Sequence, residues 1–292
     1  MIVARVRRTI VERGLIAAGD RVLVGCSGGP DSAALLQCLA VLAPEMGFTV
    51  VAASIDHGLR AGAAEDVAVA HDQARSLGIE LRSKNLSVAA GGNLQARART
   101  ARYRALHRIA KAVDATRIAV GHTMDDQAET VLMRILRGAS LAGVTGIAPR
   151  RQDGVVRPLI DCRRHVVHEF ATKSFPRIAD DPSNRDEKFE RVRVRFEVLP
   201  LLEAENHGVV EHLANLADDT RLAAALIRRR AKRLLGKSPA VRLELRLDDI
   251  RRSDPAVRRE ALRIWLRRAT GVVAGRSHLL QLEQALVGRG EV

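Results

Sequence analysis

Two short stretches of this sequence bring together residue types that do chemistry. The first is Ser27-Gly28-Gly29-Pro30-Asp31-Ser32, two residues after the apolar run Val22-Leu23-Val24 and directly before an apolar, helix-like segment. Glycines at a strand end let backbone N–H groups approach an anion, and the N-terminus of the next helix adds a favourable field. Pro30 suits the first helical position, and Asp31 and Ser32 suit the first turn. The stretch holds no lysine. A GxxxxGK(S/T) loop uses lysine to hold β- and γ-phosphates for γ-phosphoryl transfer. Here Asp31 sets a carboxylate beside the anion instead, which is chemically sensible where Mg2+ bridges carboxylate and phosphate. Gly236-Lys237-Ser238 lacks the upstream glycine and runs into Pro239, so it does not replace that loop.

The second stretch is Gly121-His122-Thr123-Met124-Asp125-Asp126-Gln127-Ala128-Glu129-Thr130. Asp125 and Asp126 open a helix just past a strand end, where acids serve as caps. Beside a predicted nucleotide site, two adjacent acids favour a functional role, and capping and metal contact can coexist. Glu129 lies one turn from Asp125 on the same face and reads as a supporting residue. His122 and His57 each stand at a strand terminus on the ligand side. The sequence has no HExxH pattern and no Cys/His cluster, which argues against zinc. These histidines read either as nucleotide-contacting or hydrogen-bonding groups or, equally, as structural ones.

The elements that must position these residues follow from periodicity. Apolar, valine-rich runs at 21–27 and 48–56 predict strands covered on both faces, and 79–86 and 116–122 are weaker members of the set. Helical patterns near 31–43, 62–77, 93–113 and 125–137 alternate with them. Such alternation predicts an α/β fold with a mostly parallel, Rossmann-like sheet, and ligands then bind outside the carboxyl ends of strands. That places chemistry after Gly25, Asp56 and Gly121. Turn residues cluster at 179–184. Helical patterns follow at 187–205, 208–235, 254–270 and 277–288, so residues 1–205 read as the catalytic domain and 206–292 as a smaller, basic, helical one.

The chain of 292 residues carries a net charge of +14 and a pI near 11.0, which points to a polyanionic partner. From Leu81 to Val113 there are eight basic residues and no acidic one. Arg99 and Arg102, like Arg104 and Arg108, have helical spacing, and an unmixed basic face favours phosphate contact. Tyr103, the only tyrosine, is placed either to stack on a base or to join the core. Arg191, Arg193 and Arg195 recur before Pro200, and Arg228–Arg230 with Lys232 and Arg233 form a second basic run. The three cysteines, Cys26, Cys38 and Cys162, make no CxxC pair. No apolar run approaches the ~20 residues of a membrane span, and the N-terminus lacks a signal peptide's core, so a soluble, cytoplasmic protein is expected.

Ser27–Ser32 matches the SGGxDS loop of the ATP pyrophosphatase superfamily, whose members cleave ATP between the α- and β-phosphates. Together with SIDHGLR (54–60), NLQARARTARYRAL (93–106), AVGHTMDDQAETVLMRILRG (119–138) and DDPSNRDEKFERVRVRFEVLP (180–200), it resembles the tRNA(Ile)-lysidine synthases across roughly residues 20–205. The resemblance implies an adenine-nucleotide α-hydrolase-like domain, with ATP and Mg2+ as cofactors. Its substrates would be free L-lysine and tRNA(Ile) with a CAU anticodon. The C2 oxygen of the wobble cytidine would be adenylated, lysine would attack C2, and AMP would leave. Ser27, Gly28, Gly29, Pro30, Asp31 and Ser32, with Asp56, His57 and His122, would hold the nucleotide, with Asp31 on magnesium. Asp126 and Asp125 would form the acidic pole near the metal or the lysine amine. Arg99, Arg102, Tyr103, Arg191 and Arg195 would face the tRNA.

Val192 and Phe196 stand where the family pattern RNxxRH has Asn and His. The sequence ends at GRGEV, where many relatives continue into a further tRNA-recognition domain. The family tends toward homodimers, and no patch in the sequence reveals an interface. A tRNA 2-thiolation enzyme with the same loop is the rival reading, but it needs a cysteine pair or cysteine-held cluster. A non-catalytic tRNA-binding module has no need of an intact SGGPDS loop and paired acids.

Overall fold

Val22, Leu23 and Val24 have no solvent exposure, because their strand lies mid-sheet with helices on both sides. The computed structural model describes residues 1–56, 62–86, 94–180, 186, 188–236, 247–272 and 274–287. β1 (Arg21–Gly25) pairs in parallel with β2 (Thr49–Asp56) and with β4 (Arg117–Ala119). β3 (Leu81–Asn85) extends the sheet beyond β2, and β5 (Val155–Val156) extends it beyond β4, giving the order β3-β2-β1-β4-β5, all parallel. The four expected strands are present; β5, only two residues long, carries no periodicity to read.

Side chains alternate along the strands as the pleat requires. Val22, Val24, Ala52, Ala119 and Val156 face one core, and Leu23, Val51, Ala53, Ile118 and Val155 face the other. The first core is closed by α1 (Ile2–Glu12), α2 (Pro30–Met46), α3 (Ala63–Ser76) and α7 (Arg164–Ser174), through residues such as Ile10, Leu35, Leu39, Ala74 and Val167. The second is closed by α4 (Leu94–Ala112), through Leu106, Ile109 and Ala110. The helices alternating with the first four strands, including α5 (Met124–Leu136), occupy the expected segments. α1 and α7 were not legible beforehand. α1 buries Ile2, Val6, Thr9 and Ile10 on one face and turns its arginines outward.

α6 (Leu141–Val144) follows α5. Further along, α8 (Glu190–Arg193) runs through a π-helical turn, Val194–Val198, into α9 (Leu199–Glu205). The remaining helices are α10 (Val209–Leu235), α11 (Leu247–Arg252), α12 (Pro255–Thr270) and α13 (Arg276–Val287). The chain divides into two compact units, Met1–Met133 with Ile147–Ala214 and Arg134–Gly146 with Asn215–Val292. The second is helical, with Ala231, Ile250, Val257 and Ala261 in its core. No helix among the described residues is long and apolar enough to cross a membrane.

The sheet order fixes where a ligand can sit. From β1 the chain builds outward through β2 and β3, then returns through α4 to β4 on the other side of β1. The order therefore reverses between β1 and β4, and their carboxyl ends flank a crevice of the kind that holds ligands in open α/β sheets. The loops after β1 and β4 carry the two stretches identified from sequence.

Candidate active site

The loop after β1 is held in one shape by its own polar groups. Gly28 has φ +78, and a Cβ there would lie 2.7 Å from the Asp66 carbonyl oxygen and 3.0 Å from the Ala179 Cβ, so only glycine fits. The Gly28 carbonyl accepts from Gln73 Nε2 and from the Ala179 N–H, each at 3.0 Å. Gly29 is the extended N-cap of α2, with Pro30 at the first helical position. The Ser32 hydroxyl accepts from the Ser27 N–H at 3.1 Å and donates to the Gly29 carbonyl at 3.0 Å. Ser32 thus braces the loop from inside, while Ser27 is exposed.

The loop after β4 comes right up against α2. A Cβ on Gly121 would lie 2.9 Å from both the carbonyl carbon and oxygen of Asp31. This glycine is needed for close approach rather than for a turn, and sequence reading missed it. Thr123 and Asp126 then form a reciprocal cap at the start of α5: Asp126 Oδ2 accepts from the Thr123 N–H at 2.8 Å and hydroxyl at 3.0 Å, and the Asp126 N–H donates back to that hydroxyl at 3.3 Å.

The other Asp126 oxygen faces three guanidiniums, those of Arg164 at 2.9 Å, Arg191 at 3.0 Å and Arg195 at 3.4 Å. Glu129, one turn on and fully buried, meets the same three at 2.8, 2.7 and 2.7 Å. Burial raises the Asp126 carboxyl, but Arg164 and Arg191 outweigh it and hold the group well below the usual carboxylate range. Glu129 is lowered too, its burial outweighed by the Arg195 hydrogen bond and the Arg164 charge. Asp125 is used differently. Its Oδ2 accepts the Arg164 N–H at 2.6 Å and so caps α7, while Oδ1 lies 3.5 Å from Arg163 Nε. Both paired acids are therefore engaged by protein donors in this arrangement. Arg191 and Arg195 turn inward onto Asp126 and Glu129. Val192 beside them is buried, and Phe196 is 54% exposed.

Asp31 is the carboxylate left for a cation. Its Oδ1 is buried and makes no aligned hydrogen bond among the described residues, so the carboxylate keeps acceptor capacity, which fits a magnesium ion beside nucleotide phosphates. His168 of α7 stands next to it. Among the described residues no group of three or more His, Cys, Asp or Glu gathers to form an all-protein metal cage.

His122 lies beyond β4 with Nδ1 3.3 Å from Arg157 Nε. Desolvation pushes its pKa down to about 3, only partly opposed by Asp126, so the ring is neutral with its proton on Nε2. Arg157 is 3% exposed, and burial lowers its pKa, opposed in part by Tyr103 nearby. Guanidiniums of Arg99 and Arg151 lie 5.4 and 4.9 Å from the Tyr103 ring centroid, so a base stacking there would compete with cations. Arg102 is exposed on α4. Asp56 ends β2, its carbonyl accepting from the Leu86 N–H at 2.7 Å. His57 and the Asp181–Asn184 part of the DPSN stretch lie outside the described residues. Cys26, Cys38 and Cys162 all sit in the first core, where burial pushes each thiol up to about 12. Thiols protonated in this way do not supply the thiolates that a 2-thiolation centre needs.

Residues 3–202 match the PP-loop domain family. A curated tRNA(Ile)-lysidine synthase from Leifsonia xyli is 38% identical over 271 residues, covering 91% of this chain and 81% of that protein. The chain belongs to the tRNA(Ile)-lysidine synthase family. Another member, from Symbiobacterium thermophilum, is 41% identical over 239 residues but is matched over only 49% of its own length. Among solved structures, a U34-tRNA thiolase from Methanococcus maripaludis superposes with a TM-score of 0.64 at 18% identity, over 75% of this chain and 76% of that one. That likeness concerns the fold alone. Family membership supplies the common origin of the SGGPDS loop and the DDQAET helix; the geometry above shows how this chain joins them.

Three measurements check this construction. Gly121→Ala is expected to destabilise by roughly 1–3 kcal/mol in urea unfolding, because the new methyl meets backbone that cannot rotate away. Glu129→Gln should cost roughly 3–5 kcal/mol in the same measurement, since it leaves buried guanidiniums short of a counter-charge. Acid should also destabilise. His122 falls from an ordinary 6.5 to about 3 in the fold, so below 6.5 the unfolded chain binds the extra proton and stability drops as pH falls toward 3. Asp126 and Glu129, with ordinary values of 3.8 and 4.5, add to the loss only at lower pH. The decline between pH 7 and pH 5 should therefore flatten in His122→Asn.

Proposed function

We propose that this chain ligates L-lysine to C2 of the wobble cytidine of tRNA(Ile) carrying a CAU anticodon, with ATP cleaved to AMP and pyrophosphate. One observation carries the reading. The lysine-free SGGPDS loop sits at the point where the sheet order reverses, in a chain 38% identical to a lysidine synthase over 91% of its length. A loop with a carboxylate and no lysine suits departure of pyrophosphate better than transfer of the γ-phosphoryl group. A cytosine carbonyl oxygen is a very poor leaving group until it is adenylated.

In this reading the exposed Ser27 and the backbone N–H groups at the start of α2 bind the phosphates, assisted by the helix field. Asp31 holds Mg2+, which neutralises phosphate charge when bound. Asp126 and Glu129 fix Arg164, Arg191 and Arg195 as a rigid cationic wall, and Asp125 fixes α7. The charges of Asp126 and Asp125 are balanced by arginines, so these acids serve by setting the wall and α7 beside the place where the lysine amine attacks. The neutral His122, held by Arg157, contributes an Nε2–H donor at the end of β4, and His57 and Asp56 belong to the nucleotide side. Arg99, Arg102 and Tyr103 face the tRNA. The cytoplasm is the compartment where such a substrate is found, and the family's tendency is the sole support for a homodimer.

Incubation with ATP, radiolabelled lysine and a CAU-anticodon tRNA should put label into RNA and release AMP and pyrophosphate. Label absent from RNA with the full chain would sink the ligase reading. Asp31→Asn should abolish pyrophosphate release while leaving tRNA retention on filters within about twofold, a change of less than 0.5 kcal/mol.

A further inference from the structure

Two buried polar atoms in the site face each other without a settled bond. His168 Nε2 lies 3.2 Å from Asp31 Oδ1. Both atoms are shielded from solvent, and neither has a hydrogen-bond partner among the described residues. The two side chains are otherwise open, 42% and 34% exposed, so the shielding falls on the two atoms that meet. The distance allows a hydrogen bond, and a small rotation of either side chain would align it.

His168 does not arrive there by chance packing of a surface helix. α7 is fixed at its first residue by the cap from Asp125, at 2.6 Å. Arg164, on the same face as His168 one turn earlier, is clamped by Asp126 and Glu129 at 2.9 and 2.8 Å. Val167 and Ala171 press the helix into the core shared with Leu35 and Leu39 of α2. The DDQAET segment and α2 thus both anchor α7, and His168 is the residue this places at the glycine loop.

We propose that His168 is a positioning residue for Asp31. Its Nε2–H covers Oδ1 and turns the carboxylate so that the opposite oxygen serves the cation on the nucleotide. The inference rests on the reading of SGGPDS as an ATP site. It adds that α7 ties the acid–arginine cluster to that loop, so that the two halves of the site are set by one helix.

The test is calorimetric binding of α,β-methylene-ATP, which resists cleavage, to the full chain over a range of Mg2+ concentrations. His168→Ala should raise the Mg2+ concentration for half-maximal binding about tenfold, the loss of a hydrogen bond to a charged group. His168→Gln, which keeps a donor at a similar reach, should recover most of it. The KM for tRNA should stay put. In an Asp31→Asn background, His168→Ala should change nothing further, because its only effect runs through that carboxylate. Unchanged Mg2+ dependence in His168→Ala overturns the proposal. Equal loss in the Ala and Gln variants overturns it as well, and assigns His168 to packing. If wild-type protein fails to bind the analogue at any Mg2+ concentration, the ATP reading itself falls, and the proposal falls with it.

Discussion

Two carboxylates meeting three guanidiniums below the carboxyl edge of the sheet hold the site together. Asp126 and Glu129 come from α5, Arg164 from α7, and Arg191 and Arg195 from the segment leading through the π-helical turn. Three pieces of chain far apart in sequence meet here. Charges this shielded are expensive to take out of water, and they are tolerable only because each carboxylate oxygen finds a donor and the cations outnumber the anions. Removing any one member strands the others. The cluster therefore specifies one arrangement of α5, α7 and α8 more sharply than apolar contact would.

The nucleotide loop depends on this cluster at one remove. Its own bracing by Ser27, Ser32 and Gln73 sets its shape, but its location relative to β4 is set by the approach of Gly121 to Asp31. The acid–arginine cluster fixes α7, and α7 stands against Asp31. Folding and chemistry thus draw on the same charges. Acid that protonates the carboxylates would loosen the architecture and the site together.

Much of this was legible in the sequence because the relevant chemistry is local. The strand–glycine–helix pattern of residues 21–46 contains its own start, cap and turn residues, and the paired acids announce a helix N-terminus. What was not legible is tertiary. α7 has no cap of its own; Asp125, 39 residues away, supplies it. Gly121 has no left-handed backbone to mark it, since its need for a missing side chain comes from another helix. Arg191 and Arg195 were expected, by resemblance to the family, to contact the active site or the tRNA, and only the fold shows buried carboxylates opposite them. Glu129 read as a supporting residue, and its full burial among three arginines fits that reading without revealing its reach.

The bound-back carbonyl of Gly28 has a consequence for what an incoming anion meets. With every described peptide bond trans, the carbonyl of one residue and the N–H of the next point in opposite directions. Gln73 and the Ala179 N–H pull the Gly28 oxygen toward α3 and the segment before residue 180, so the Gly29 N–H must point the other way. An approaching phosphate then meets hydrogen-bond donors and is spared a carbonyl's negative end. Because this peptide is locked at folding, its own freedom is not lost when the ligand arrives, and the ordering cost of binding falls by that much.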